Sequence, residues 1–315
     1  MPPLVDPLGR PVTYLRISVT DRCNLRCGYC MPREGVNPIP HADVLRYEEI
    51  LAVVRAARSL GFDRFRVTGG EPLARRGVLW LLERLASEGA PVSITTNGIL
   101  LARFARDIAG AGLRRINVGL DTLRGDRFHR ITGTDGLAIV LRGIDAARAE
   151  GIAPLKVNVV VMRGVNDDEV VDFIDWGRRE RLDVRFIEFM PVRGEDLFVS
   201  LAPFIASVER SGGLHPAAIE GGGPARSFRY LDGAGTVGFI MPRTEPFCAG
   251  CNRVRLTADG TLLPCLFSQE GIPLRDALRS GGDIAALIRD AVRAKPEGHG
   301  LKMRLHRYGM HALGG

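Results

Sequence analysis

Between Leu15 and Phe189 the chain repeats one pattern: a run of six to eight residues whose side chains alternate in polarity, then a stretch with helical periodicity. The strand-like runs are Leu15–Thr20, Phe62–Thr68, Val92–Asn97, Arg115–Asp121, Leu155–Met162 and Val184–Phe189. Helical periodicity covers Tyr47–Leu60, Gly77–Ser87, Leu100–Ala111, Leu137–Ala149 and Asp168–Arg179. In the first of these, Ile50, Leu51, Val53, Val54, Ala57 and Leu60 form one apolar stripe. Six β/α units in succession predict an α/β fold built on a parallel sheet, open or partly closed into a barrel.

Successive side chains along a strand point to opposite faces. The first run sets Arg16, Ser18 and Thr20 against Leu15, Ile17 and Val19. The second sets Arg64, Arg66 and Thr68 against Phe65 and Val67, and the third Ser93, Thr95 and Asn97 against Val92 and Ile94. The fourth sets Asn117, Gly119 and Asp121 against Ile116, Val118 and Leu120. The fifth sets Lys156 and Asn158 against Leu155, Val157 and Val159, while the sixth does not separate cleanly. The apolar faces must meet the helices, so the polar faces point inward. Closed barrels normally fill with branched aliphatics. A charged and hydroxylated interior predicts a wet ligand cavity instead.

The rest of the chain is organised differently. Ser211–Ser227 is rich in Gly, Pro and Ala and reads as a linker or long loop. Beyond it lie strand candidates at Ser227–Leu231, Thr236–Met241 and Arg253–Thr257, and helices at Pro273–Arg279 and Ile284–Ala294. The expected division is residues 1–212, a linker over 213–226, and a C-terminal region 227–315. No apolar run approaches the length of a membrane span. The N-terminus lacks a basic segment followed by an apolar core, so the expectation is a cytoplasmic protein with no membrane partner. The net charge of +7 suits a phosphorylated ligand. No lysine-rich run or basic tail accompanies it, so no nucleic-acid partner is expected. Of 43 Lys and Arg residues only Lys156, Lys295 and Lys302 are lysines, which makes Lys156, inside a strand, conspicuous.

All six cysteines fall into two triplets: Cys23, Cys27 and Cys30, then Cys248, Cys251 and Cys265. Grouping of this kind in a cytoplasmic chain reads as metal binding before disulfides. The first triplet follows the first strand, where parallel β/α folds place their active sites. Three thiolates at this spacing hold a four-iron cubane and leave one iron open to a small molecule. Zinc would need a fourth ligand, and no Cys or His follows before His41. For the second triplet the spacing alone leaves two readings open. One is structural zinc, with His299 or His306 completing the set; the other is a second cluster with an open iron. Within that triplet, Arg253 and Arg255 face the same way on a strand and suit a carboxylate or phosphate.

The motif C-x3-C-x2-C after a first strand, with Tyr29 before the last Cys, resembles the radical S-adenosylmethionine superfamily. Gly69-Gly70-Glu71-Pro72, at the end of the second strand, strengthens the likeness. The resemblance implies that the open iron binds the amino and carboxylate groups of S-adenosylmethionine, whose reductive cleavage gives a 5′-deoxyadenosyl radical. Over nearly its full length the chain is similar to the GTP 3′,8-cyclase family of molybdenum-cofactor biosynthesis. The matching segments are Leu15–Cys23, Arg66–Pro72, Thr95–Gly98, Arg115–Val118, Lys156–Asn158, Arg185–Met190, the second triplet with Arg253-Val254-Arg255, and the terminal Gly314-Gly315.

This resemblance implies a partial (β/α)6 TIM-like barrel, with a C-terminal extension of short strands and helices that carries a second [4Fe–4S] cluster. It implies that Cys23, Cys27 and Cys30 hold the first cluster, and that Tyr29, Gly70, Gly119 and Met190 line the S-adenosylmethionine site. Arg16, Arg66, Thr95, Lys156, Arg185, Arg253, Val254 and Arg255 would hold GTP. Cys248, Cys251 and Cys265 would present an open iron to the guanine. The implied reaction joins the ribose C3′ to C8 of guanine, giving (8S)-3′,8-cyclo-7,8-dihydroguanosine 5′-triphosphate. The Gly314-Gly315 tail would enter the active site. Implied partners are a flavodoxin-like or other low-potential reductant and a downstream cyclic pyranopterin monophosphate synthase; a homodimer is compatible with the same reading.

One departure stands out. The family pattern has Ser where this chain has Gly119, in Asn117-Val118-Gly119-Leu120-Asp121. A hydroxyl expected near S-adenosylmethionine is missing, which predicts modestly weaker binding of that cofactor. Two competing readings remain: a radical enzyme with an auxiliary cluster acting on a peptide, and a non-enzymatic zinc-binding module.

Overall fold

The computed structural model describes residues 2–191, 196–218, 223–298 and 309–313. A short hairpin, β1 (Leu4–Val5) against β2 (Pro11–Val12), comes first. The alternation follows: β3 (Tyr14–Ser18), α1 (Tyr47–Ser59), β4 (Arg64–Thr68), α2 (Val78–Ser87), β5 (Val92–Thr96), α3 (Leu101–Gly110) and β6 (Arg115–Gly119). It continues through α4 (Gly125–Thr132), α5 (Leu137–Ala149), β7 (Leu155–Val161), α6 (Val170–Arg179) and β8 (Asp183–Glu188). The strands and helices read from the sequence here are present to within about two residues, the margin of any boundary assignment. Helix α4 was not foreseen, because its buried apolar side chains are only Phe128 and Ile131. Two such residues make no stripe.

Beyond β8 the chain adds α7 (Ala202–Arg210), β9 (Leu214–Pro216), β10 (Arg226–Tyr230), β11 (Thr236–Ile240), β12 (Arg253–Leu256), β13 (Thr261–Leu263) and β14 (Ile272–Pro273). It ends in α8 (Arg275–Ser280), α9 (Ile284–Arg293) and a single turn, α10 (Met310–Leu313). The segment read as a linker holds β9, which pairs antiparallel with β10.

The larger sheet runs β14-β13-β12-β3-β4-β5-β6-β7-β8-β11-β10-β9. Strands β3 to β8 are parallel neighbours in chain order. The C-terminal region then extends this sheet from both sides: β11 lies parallel to β8, and β12 parallel to β3. The architecture is the expected α/β partial barrel, widened by two parallel strands that arrive late in the chain. Its edges, β14 and β9, do not pair with each other.

The apolar strand faces pack under the helices. Leu15, Ile17, Val67, Ile94, Ile116, Val118 and Val157 are all buried, and full burial of each such side chain stabilises the fold by about 1.5–3 kcal/mol. Phe186 of β8 stacks on Phe239 of β11, ring centroids 5.5 Å apart, which fastens the added strand to the barrel. On β8 the ambiguous pattern resolves. Arg185 and Ile187 line the interior cavity, whereas Val184 and Phe186 join the core. Glu188 broke the alternation: it is a buried carboxylate on the outer face, accepting from the Arg243 and Thr244 amides at 2.9 and 3.1 Å. Among the described residues no helix is long and apolar enough to cross a membrane.

Candidate active site

The loop after β3 carries Cys23, Cys27 and Cys30, all half-buried and free. Burial pushes each thiol up from its ordinary value, Cys30 to about 12, and for Cys27 and Cys30 the neighbouring thiols and Asp121 add to the effect. A coordinating metal cation would turn three such thiols into thiolates. Tyr29 projects from the same loop, and its hydroxyl donates to Asp121 Oδ2 at 2.7 Å. The other Asp121 oxygen accepts from the Val160 amide at 2.9 Å, which fixes the cysteine loop to the ends of β6 and β7.

The Gly69-Gly70-Glu71 turn lies against this loop. A Cβ on Gly70 would sit 2.1 Å from the Arg22 carbonyl, and one on Gly69 would sit 2.6 Å from that of Thr20. The glycines thus permit the close approach of the cysteine loop's own backbone. Glu71 is fully buried. Its carboxylate accepts from the Leu73 and Asn97 amides at 3.0 and 2.7 Å and from the Thr96 hydroxyl at 2.8 Å. Burial outweighs these bonds and lifts it to about 7. The Asn97 side chain, held at this point, reaches Cys23 Sγ at 3.6 Å.

Inside the barrel is a cavity of about 640 Å³. Strand register brings its cations into rows: Arg255, Arg16 and Arg66 are neighbours across β12, β3 and β4. Lys156 and Arg185 enter from β7 and β8. Among the described residues, nine Arg or Lys side chains line the cavity against one acid, Asp63. Burial, then like charge from neighbouring guanidiniums, pushes Arg16 well down and Arg255 to about 10. Lys156 falls to about 8, chiefly through burial and then Arg185, although Asp183 stands 3.9 Å away. So much buried positive charge calls for an anion. Two lining side chains also keep polar atoms without a partner among the described residues, the Tyr14 hydroxyl and Asn158 Oδ1. A polyanionic, polar ligand fits this chamber.

Cys248, Cys251 and Cys265 line the same cavity. Burial raises the Cys251 thiol, but Arg253 and Lys295 outweigh it and hold the group below its ordinary value. His299 and His306 lie outside the described residues. Each triplet offers three thiols, the donor set that holds a [4Fe–4S] cluster and leaves one iron open.

The other expected site residues divide. Met190 lines the cavity with the cations. Thr95 does not, and its hydroxyl lies 3.3 Å from the Asn117 side-chain amide. Val254 points the opposite way from Arg253 and Arg255, fully into the hydrophobic core, so only its backbone can face a ligand. Gly119 ends β6 exposed, and the nearest atom to an added Cβ would be the Thr96 carbonyl at 4.0 Å. Gly314 and Gly315 lie outside the described residues. The turn before them touches both halves of the site. The Leu313 carbonyl accepts from Arg255 Nη1 at 3.0 Å, and His311 Nδ1 lies 3.5 Å from the Cys30 carbonyl.

Comparison with known proteins bears on this geometry. Residues 17–177 match the Radical SAM superfamily model and residues 182–301 the Molybdenum Cofactor Synthesis C model. The GTP 3′,8-cyclase of Thermodesulfovibrio yellowstonii is 46% identical, over 93% of this chain and 94% of its own length. That of Geobacter sulfurreducens is 45% identical, over 99% of each. The chain belongs to the radical SAM superfamily, in the GTP 3′,8-cyclase family. Both resemblances read from the sequence are borne out.

Solved radical enzymes share the family's fold. The structure of anSMEcpe with bound AdoMet superposes with a TM-score of 0.61 at 14% identity, over 96% of this chain and 81% of that one. SuiB of Streptococcus suis bound to S-adenosylmethionine gives 0.59 at 17% identity, over 81% of this chain and 60% of its own. At such identity the likeness concerns the fold alone. Three residues around the triplets escaped the sequence reading. Asp121 was placed on the inner face, but its bond to Tyr29 spans 92 residues. Arg10 donates to the Cys248 carbonyl from a hairpin that carries no motif. Lys295 reaches Cys251 from beyond α9, and its rarity was the one available signal.

Proposed function

We propose that the protein converts GTP to (8S)-3′,8-cyclo-7,8-dihydroguanosine 5′-triphosphate, a carbon–carbon bond-forming lyase reaction and the first step of molybdenum-cofactor biosynthesis. One observation carries this reading. A single chamber joins the three thiols of the second triplet to a wall of buried cations. A nucleoside triphosphate matches it, with four negative charges at one end and a base with ring nitrogens at the other.

Cys23, Cys27 and Cys30 would hold a [4Fe–4S] cluster, which with S-adenosylmethionine would supply the radical chemistry for removal of the ribose 3′ hydrogen. The chain's own residues bind and orient. Tyr29, Gly70, Gly119 and Met190 shape the pocket for S-adenosylmethionine. Arg16, Arg66, Lys156, Arg185, Arg253 and Arg255 neutralise the triphosphate through charge-assisted bonds, with Thr95 and the Val254 backbone beside them. Cys248, Cys251 and Cys265 would hold the second cluster, whose open iron would supply a binding site for the guanine. The barrel wall keeps water away from the substrate radical. The resemblance also gives the Gly314-Gly315 tail a part in the reaction. In this reading residues 1–212 carry the first cluster and 227–315 the second. In the same reading the enzyme works in the cytoplasm, draws electrons from a flavodoxin-like or other low-potential donor, and hands its product to a cyclic pyranopterin monophosphate synthase; a homodimer is compatible with it.

The test is anaerobic incubation of the reconstituted protein with dithionite, S-adenosylmethionine and either GTP or ATP, with 5′-deoxyadenosine and the cyclised nucleotide measured. Both products with GTP and neither with ATP are expected. Formation of 5′-deoxyadenosine regardless of nucleotide would overturn GTP as the substrate.

A further inference from the structure

Lys295 is buried at the end of α9, and its ammonium has three acceptors. It donates to Cys251 Sγ at 3.4 Å, to the Arg253 carbonyl at 2.8 Å and to the Pro264 carbonyl at 3.2 Å. An ammonium has three N–H donors, so these contacts use them all. The acceptors come from the two segments that bear the second triplet: Cys251 to Arg253 on one side, Pro264 next to Cys265 on the other. The following residues are clamped in turn, since Arg10 donates to the Pro296, Glu297 and Cys248 carbonyls at 2.7, 2.9 and 2.9 Å. At the first triplet, among the described residues, the side-chain donor to a cysteine sulfur is the neutral Asn97 amide.

We propose that Lys295 is a positioning residue for the second cluster: it ties the two ligand-bearing segments together and, through its bond to the Cys251 sulfur, holds the cluster's reduction potential up. Reduction adds negative charge to the cluster. A fixed ammonium and an N–H···S bond favour that state, since net charge and hydrogen bonds to sulfur are among the features that set cluster potentials. The inference rests on the reading that Cys248, Cys251 and Cys265 hold a cluster.

The two ideas are separable in the full-length chain with Cys23, Cys27 and Cys30 replaced by alanine, which leaves one cluster to load. Iron and sulfide in this reconstituted parent test the cluster reading, and their absence would sink it together with the role of Lys295. Redox titration followed by electron paramagnetic resonance then compares the parent with Lys295→Met and Lys295→Gln. Lys295→Met should shift the redox equilibrium about tenfold toward the oxidised cluster, ~59 mV for one electron. Lys295→Gln, which keeps a neutral donor, should fall between. A lysine that merely braces the loop would alter iron retention and leave the potential of the retained cluster unchanged; that result would overturn the proposal. If Lys295→Met retains no cluster, Lys295→Gln decides, a lowered potential supporting the proposal and the parent's value refuting it.

Discussion

Arg16 and Arg255 stand side by side as register partners on the adjacent parallel strands β3 and β12, both turned into the cavity and both buried. Burial first, and then the Arg255 charge, make the Arg16 cation costly to hold. Replacing Arg16 with methionine should therefore stabilise the ligand-free protein by about 1–2 kcal/mol, read as a raised thermal midpoint. The same change should weaken GTP binding by roughly 10- to 150-fold, the loss of a charge-assisted bond worth about 1.5–3 kcal/mol. Unchanged binding would remove Arg16 from the nucleotide site.

Lys156 gives a pH signature. Its ammonium is pushed down to about 8, chiefly by burial. A bound triphosphate favours the charged form, and the free protein loses that form as pH rises through about 8. GTP affinity should be full below this value and decline above it by up to about tenfold per pH unit. Equilibrium binding at pH 7 and pH 9 measures the slope. Lys156→Met should be weaker throughout and flat; a wild-type slope in that variant would assign the titration to another group.

Gly119 leaves open space where the family carries a serine. With no atom nearer than 4.0 Å to an added Cβ, Gly119→Ser fits without displacement. It should tighten S-adenosylmethionine binding by about 0.5–1.5 kcal/mol, one neutral hydrogen bond, seen as a roughly two- to tenfold lower dissociation constant. Equal or poorer binding would mean that the hydroxyl has no role here.

Removing Gly314 and Gly315 should abolish cyclisation while leaving the iron and sulfide content of both clusters intact. The turn ahead of them is anchored independently, by Leu313 on Arg255 and by His311 beside the Cys30 carbonyl. Full product formation by the shortened protein would contradict an active-site role for the tail.

What the sequence disclosed follows from how far each interaction reaches. Alternating strands such as Leu155–Val161 declare both faces locally, so the barrel, its polar lining and the inward cations were legible before any coordinates. The β8 pattern was not, because Glu188 is a polar residue buried on the apolar side, satisfied by amides more than fifty residues away. The strands β13 and β14, three and two residues long, are too short to show a period. The glycines at 69 and 70 were legible as a motif, but not that their missing Cβ atoms make room for the backbone of Thr20 and Arg22, some fifty residues earlier. Lys295 acts on two carbonyls and a sulfur, acceptors that no residue-type pattern reveals.

The one-turn helix α10 carries a consequence for the order of assembly. The cysteine loop lies early in the chain, yet the helix that touches both its Cys30 carbonyl and Arg255 is 281 residues away from Cys30. A chain cut short of α10 would keep both cysteine triplets and lose the element that bridges the first triplet's loop to the cation wall.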